Sequence, residues 1–332
     1  MTERMLSAVR TFVREGRLAL VTVWALLLIA IVVNAWLAPN FFSGYSIRSN
    51  FATFVPLVAA AVGQTIIVLG GGIDLSLGAL ITLSSVVGVV LMDGDPANLP
   101  VAVLAALAVG AAGGLVNGAL ASYLRLQPIV ATFATSFVWA GLTLQVLPQP
   151  GGAVPTAMTG LYRDAVLGVP VAALAILLLA GLWLAVKRHR LGLHIYAMGG
   201  DEQAAFASGI HVNRVRVASY VLGGLFGGLS ALAILANTGS GDPYVGASAG
   251  AVFIGGEITL SSIAALVIGG TALSGGVGGA GGAIAGAIVL GLISNIVFFA
   301  GLSGGVRELI DGAIVIGALA LAGIPALRRE MS

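Results

Sequence analysis

Runs of about twenty consecutive apolar residues recur along almost the whole chain, and no other feature constrains its fold as tightly. A helix rising 1.5 Å per residue needs about that many to cross roughly 30 Å of hydrocarbon. Breakers and polar loops divide the runs into ten candidate spans: 18–37, 51–69, 73–92, 100–122, 128–147, 166–186, 216–236, 258–274, 279–300 and 307–324. Lipid offers no hydrogen-bond partners, so each span must satisfy its own backbone, as a helix does. Only 8% of the residues are charged, against about 25% in soluble domains. The expected fold is all-α, a polytopic transmembrane helix bundle. One transmembrane domain, 18–324, is flanked by short segments at 1–17 and 325–332. The basic start leads into a long span without a small-residue cleavage site, which reads as a retained first helix.

Lys and Arg collect on cytoplasmic flanks. With the N-terminus inside, the cytoplasmic segments hold Arg4, Arg10, Arg14, Arg17, Arg125, Lys187, Arg188, Arg190, Arg214, Arg216, Arg328 and Arg329, 12 of the 15 basic residues. Arg48, Arg163 and Arg307 fall outside, while Asp93, Asp95, Asp164 and Asp242 lie on outer loops. An even number of spans, with both termini cytoplasmic, fits this bias. A multi-pass membrane protein is expected.

Small residues recur at four-residue spacing, as in Gly110, Gly114 and Gly118, Gly223 with Gly227, Gly224 with Gly228, and Gly278, Gly282 and Gly286. In lipid such residues let helix backbones approach closely, which predicts a tightly packed bundle.

Several chemistries are absent from the sequence. There is no cysteine, hence no disulfide, thiolate metal site or cysteine nucleophile. Lys187, the single lysine, follows "GLWLAV" and not a glycine-rich phosphate loop, so ATP hydrolysis by that route is excluded. His189, His194 and His211 share one predicted cytoplasmic loop. No enzymatic activity, resident cofactor, metal or nucleic-acid partner is expected. What remains is a set of polar residues within spans: Gln64, Asp74, Asn117, Thr132, Thr135, Ser136, Glu257 and Asn295, with Phe133, Phe137 and Trp139 near them on span five. Intramembrane polar groups tend to face the bundle interior or a water-filled route. Uncharged hydrogen-bonders beside aromatic faces suit a neutral polyhydroxylated solute, and the candidate path is Gln64, Asp74, Asn117, Thr132, Trp139 and Asn295.

Between spans two and three the chain reads "GGGIDLSLG", 70–78. The glycines end one span, and Asp74 opens the next either as a helix cap or as a group on the solute route. The stretch "VLGGGIDLS" has a faint echo in "VIGGTALS", 267–274, the kind of internal repeat that transporters place at broken helices.

The longest inner loop, 187–215, contains "GGDEQAAFASG". Asp201 is a suitable N-cap, Glu202 complements the first turn and Gly209 is a suitable stop. A helix over Glu202–Ser208 is too short to stand alone in water. It must rest on its own bundle or enter a groove in another protein.

The stretches "GGIDLSLGALITLSS", "RLGLHIYAMGGDEQAAFASGIHVNRV" and "IAALVIGGTALSGG" occur in this order. From about 51 to 316 the chain resembles the permease subunits of bacterial sugar ATP-binding cassette importers of the ribose, xylose and galactose type. The resemblance implies a cytoplasmic ATP-binding subunit that binds the ATP, a periplasmic solute-binding protein and a second permease. It also implies that the inner loop is the coupling loop, a role carried onto Gly200, Asp201, Glu202, Ala204, Ala205 and Gly209. The family's tyrosine–glutamate–leucine–aspartate run is not kept: the chain reads "FIGGEITLSSIAA", with Thr259 and Ser261 where an acid is expected. Nucleoside and branched-chain amino-acid permeases are more distant relatives and alternative solute classes. A stand-alone channel or ion-driven carrier is the remaining alternative, with Asp74 and Glu257 as its only ionisable candidates.

Overall fold

The computed structural model describes residues 21–245 and 256–302, with isolated positions from 306 to 316. Its helices in chain order are α1 (Val21–Leu37), α2 (Gly44–Leu69), α3 (Leu77–Met92), α4 (Leu99–Ser122), α5 (Pro128–Val146), α6 (Thr156–Arg163), α7 (Val171–Arg188), α8 (Arg190–Gly200), α9 (Glu202–Ala207), α10 (Val212–Thr238), α11 (Gly256–Ile268) and α12 (Ala280–Phe299). Six of these helices, α2, α4, α5, α7, α10 and α12, are long and apolar enough to cross a membrane, and α1, α3 and α11 are shorter apolar helices. Each of the first nine expected spans therefore coincides with an apolar helix. The segment 1–17, the tail 325–332 and most of the expected span 307–324 lie outside the described residues.

The boundaries differ where tertiary partners override local pattern. Helix α2 begins at Gly44, seven residues before the expected span, because the Ser43 side chain accepts from Ser46 N and caps it. Residues 165–170 form a two-stranded hairpin (β1 Ala165–Val166, β2 Val169–Pro170) before α7, so the sixth span begins at Val171. The eighth ends at Ile268, not 274.

Helices α2 and α10 form the centre. α10 packs on α4, α2 and α3, while α2 also meets α12, α11 and α7. Of the most apolar stretch of α2, 83% is buried, against 22–28% for α4, α5 and α7, whose outer faces are exposed. The glycine spacing has the expected use. A Cβ on Gly110 would collide with the carbonyl oxygen of Gly224, and one on Gly224 with that of Gly110, so α4 and α10 touch backbone to backbone. Gly282 and Gly286 bring α12 onto Gly269 and Ala265 in the same way. Gly278 departs from the pattern: it lies in the loop before α12, at φ +116°.

Pro56 lies inside α2 and has no N–H for the carbonyl of Ala52, four residues earlier. The Tyr162 hydroxyl of α6 donates to that carbonyl at 2.8 Å. A freed backbone acceptor is satisfied from a neighbouring helix, as apolar surroundings require.

Candidate functional site

The three glycines end α2 as their chemistry predicts. Gly71 takes φ +78°, Gly71 N donates to Val68 O at 2.9 Å, and Gly72 N to Ile67 O at 3.1 Å. This is a glycine-terminated helix end of the Schellman kind. Gly72 also admits a close neighbour, since a Cβ there would lie 2.6 Å from the Tyr220 hydroxyl. Helix α11 ends in the same way: Gly270 takes φ +80°, its N–H donates to Val267 O at 2.9 Å, and Thr271 N to Leu266 O at 2.9 Å. Val68 corresponds to Val267 and Gly71 to Gly270, so the sequence echo is a repeated helix ending.

In the short link between α2 and α3, Asp74 sits 1% exposed. Its Oδ1 accepts from Ser76 N at 2.7 Å and from Ser76 Oγ at 2.7 Å. Its Oδ2 accepts from Asn117 Nδ2 of α4 at 3.1 Å. The same Asn117 amide donates to Ser76 Oγ at 2.7 Å, and Asn117 Oδ1 accepts from Thr135 Oγ1 of α5 at 2.7 Å. Thr132 of α5 accepts from Leu75 N at 3.0 Å and donates to Pro128 O at 2.9 Å. On the α11 side, Thr259 Oγ1 accepts from Gly78 N at 2.9 Å. These contacts satisfy N–H groups at the buried start of α3 that have no partner within the helix. Asp74 thus caps the start of α3 through an Asx-type turn, two residues before the Ser76 N-cap position. No ion pair holds Asp74 among the described residues, and fixed dipoles surround it instead.

Of the six candidate path residues, Asp74, Asn117 and Thr132 come together in this network. Gln64 is fully buried in α2, and neither its Nε2 nor its Oε1 has a partner among the described residues. Trp139 lies two turns along α5 from Thr132, half-buried, with its Nε1 also unpartnered among the described residues. Asn295 does not join them. Its Nδ2 donates to Asn50 Oδ1 at 2.9 Å, and Asn50 stands 19 residues before the end of α2, roughly 29 Å along the helix. Phe133 and Phe137 stack edge to face at 5.1 Å between centroids on the outward side of α5. Glu257 is exposed at the start of α11. Ser76 and Thr259 are network members that sequence reasoning did not assign. The Asp–x–Ser spacing of an Asx turn was the available signal for Ser76, whereas Thr259 carries none locally.

The inner loop is more structured than expected, because α8 precedes the short helix. The His189 side chain accepts from Leu191 N at 3.2 Å and caps α8. Asp201 caps α9, accepting from Ala204 N at 2.9 Å, and Gly209 ends the turn at φ +84°. Arg216 of α10 pairs with Glu202 at 2.5 Å. Ala205 is buried against its own chain at 4% exposed, while Phe206 stands 73% exposed. Tyr196 of α8 donates to Gly278 O at 2.7 Å. Burial pushes its phenol up to about 12.

The family described as the permease component of the branched-chain amino acid transport system matches residues 46–319. The chain is similar to the ribose import permease protein of Escherichia coli (strain K12), 34% identical over 304 residues, 89% of this chain and 90% of that protein. It is 33% identical to the ribose import permease protein of Bacillus subtilis (strain 168), over 81% of this chain and 82% of that protein. It is 30% identical to the D-allose transport system permease protein of Escherichia coli (strain K12), over 81% of each chain.

Proposed function

The chain belongs to the permease-component family of the branched-chain amino acid transport system, and from that premise we propose that it is the transmembrane permease subunit of an ATP-binding cassette importer for a monosaccharide. The observation that carries the reading is similarity to a ribose import permease over 89% of the chain. The D-allose relative keeps the solute among sugars, ahead of amino acids, nucleosides and the stand-alone carrier.

In this reading ten spans cross a bacterial inner membrane with both termini cytoplasmic. A periplasmic binding protein delivers the sugar, and two permeases enclose the route. A separate subunit binds and hydrolyses ATP, so the permease is a transporter and not an enzyme. Helix α9, with Gly200, Asp201, Glu202, Ala204, Ala205 and Gly209 shaping it, receives the ATPase. Asp201 and Gly209 define the ends of α9, Ala205 seats it, and its exposed side faces the partner. The route passes the α2–α3 break, where Asp74, Asn117 and Thr132 fix the backbone, with Gln64 and Trp139 offering unpaired polar atoms to a hydroxylated solute. Asn295, at the other end of α2, lies toward the opposite mouth.

The test is reconstitution in proteoliposomes with the ATPase and binding protein, scored by uptake of labelled ribose, allose and leucine. Uptake of a sugar that needs all three proteins and ATP is expected. Flux through the permease alone, or uptake of leucine only, would overturn the reading.

A further inference from the structure

The two repeated helix endings meet each other, and they meet at the residues that lead into α9. Gly276 N, in the loop after α11, donates to the carbonyl of Leu69, the last residue of α2, at 3.0 Å. Gly199, at the end of α8, sits against both: a Cβ there would collide with Leu69 O and lie 2.7 Å from Gly276 N. A Cβ on Gly276 would lie 2.6 Å from Gly200 Cα and N, and one on Gly275 3.0 Å from Gly199 O and from Gly71 Cα. Next to this seat, Met198 is 2% exposed and its Cε lies 3.0 Å from where a Gly70 Cβ would be. Three backbone segments therefore touch with no side chain between them.

Flexible side chains can absorb a shift of a neighbouring element, but backbones in direct contact cannot, so a packed seat of this kind transmits displacement. We infer that Gly199 and Gly276 are positioning residues for transport, tying α9 to the endings of both α2 and α11 so that the three move as one body during the ATP cycle. This rests on the importer reading above, and it gives the repeated glycine endings their purpose. The Gly71–Asp74 stretch continues directly from the seat into the Asn117 network, so displacement of α9 reaches the start of α3 through about five residues of backbone. The route from α9 to the buried polar network is thus short and built from main chain.

A glycine outside the seat provides a control: a Cβ on Gly281, in the first turn of α12, meets nothing within 4 Å. In proteoliposomes holding the complete importer, Gly199→Ala and Gly276→Ala are expected to lower sugar uptake on the order of tenfold while ATP hydrolysis persists, whereas Gly281→Ala keeps the native ratio of sugar moved to ATP consumed. Native uptake in Gly199→Ala overturns the inference. Should that variant fail to assemble, spin labels decide. The chain has no cysteine, and the exposed Ala197 of α8 and Ser274 accept labels as Ala197→Cys and Ser274→Cys. Their separation is expected to stay the same between nucleotide-free and ATP-bound complexes, while an Ala197→Cys and Asp93→Cys pair changes. An Ala197–Ser274 distance that shifts with nucleotide, or a reference pair that stays still, overturns it. Failure of the chain to bind any ATPase would instead sink the importer reading itself.

Discussion

The Asn117 amide donates to the Asp74 carboxylate at 3.1 Å while its own oxygen accepts from Thr135 at 2.7 Å. The order of donor and acceptor along this line is fixed, because Asn117 offers its NH₂ on one side and its oxygen on the other. Asp74→Asn is therefore not a neutral cap exchange. It sets an NH₂ against an NH₂, or forces Asn117 to turn and abandon Thr135. Leaving one buried polar group unpaired costs about 1–3 kcal/mol, and a drop of that size in the unfolding free energy of the detergent-purified protein is expected. The double variant Asp74→Asn with Asn117→Asp restores an acceptor between two donors and is expected to recover most of the loss. If stability returns without transport, the position of the charge itself matters to the solute route. If Asp74→Asn alone is as stable as the native chain, the fixed order is wrong.

Tyr162 and Pro56 form a second testable pair. The tyrosine hydroxyl serves an acceptor that exists only because proline lacks an N–H. Tyr162→Phe is expected to destabilise the protein by about 1–3 kcal/mol. In a Pro56→Ala background the helix supplies its own N–H to Ala52, and Tyr162→Phe then costs less. A double-mutant cycle on thermal unfolding in nanodiscs measures the difference. Strict additivity would show that the hydroxyl contributes nothing through Ala52.

Glycine substitutions separate close approach from mere helix composition. Gly110→Ala and Gly224→Ala each place a methyl group against a facing carbonyl oxygen, whereas a Cβ at Gly141 or Gly181 meets nothing within 4 Å. Gly141→Ala and Gly181→Ala are expected to be neutral or slightly stabilising, by up to about 1 kcal/mol, from helix propensity. Gly110→Ala and Gly224→Ala should lose the monodisperse folded peak on size-exclusion chromatography. Equal behaviour of all four variants would mean that α4 and α10 are not held by backbone contact.

What the sequence discloses and what it hides divide along physical lines. The spans are legible because lipid demands long uninterrupted apolar helices, and the glycine spacing is legible because close approach demands small residues at one helical period. The ends of α9 are readable as well, since Asp201 and Gly209 act within a few residues of themselves. Helix α6 is hidden because eight residues carry too little periodicity, and α8 because its apolar positions are read as loop. Thr259 pairs with Gly78 across 181 residues, a partnership no local pattern encodes. The candidate path mixes residues from both ends of α2, since polarity within a span says nothing about depth. The burial of Ala205 in place of Phe206 depends on a rotation of one residue about α9, which six residues cannot define.

That rotation yields the sharpest prediction about α9. Phe206 is 73% exposed beside a buried Ala205, so an aromatic side chain stands on the free side of the proposed docking helix. Aromatic anchors at interface centres commonly cost about 2 kcal/mol or more when truncated, a loss of roughly thirtyfold in affinity. Phe206→Ala is expected to weaken ATPase binding to nanodisc-embedded permease by that order, without lowering the permease's own melting temperature. The Arg216–Glu202 pair is half-exposed on the glutamate side, and such pairs contribute only about 0–1 kcal/mol, so Glu202→Ala should barely alter stability. Ala205→Leu should do the reverse of Phe206→Ala, since the added bulk enters the seat of α9 and lowers the melting temperature. Surface-immobilised binding measurements on the three variants distinguish these effects. Native ATPase affinity in Phe206→Ala would show that the partner contacts another face of the loop.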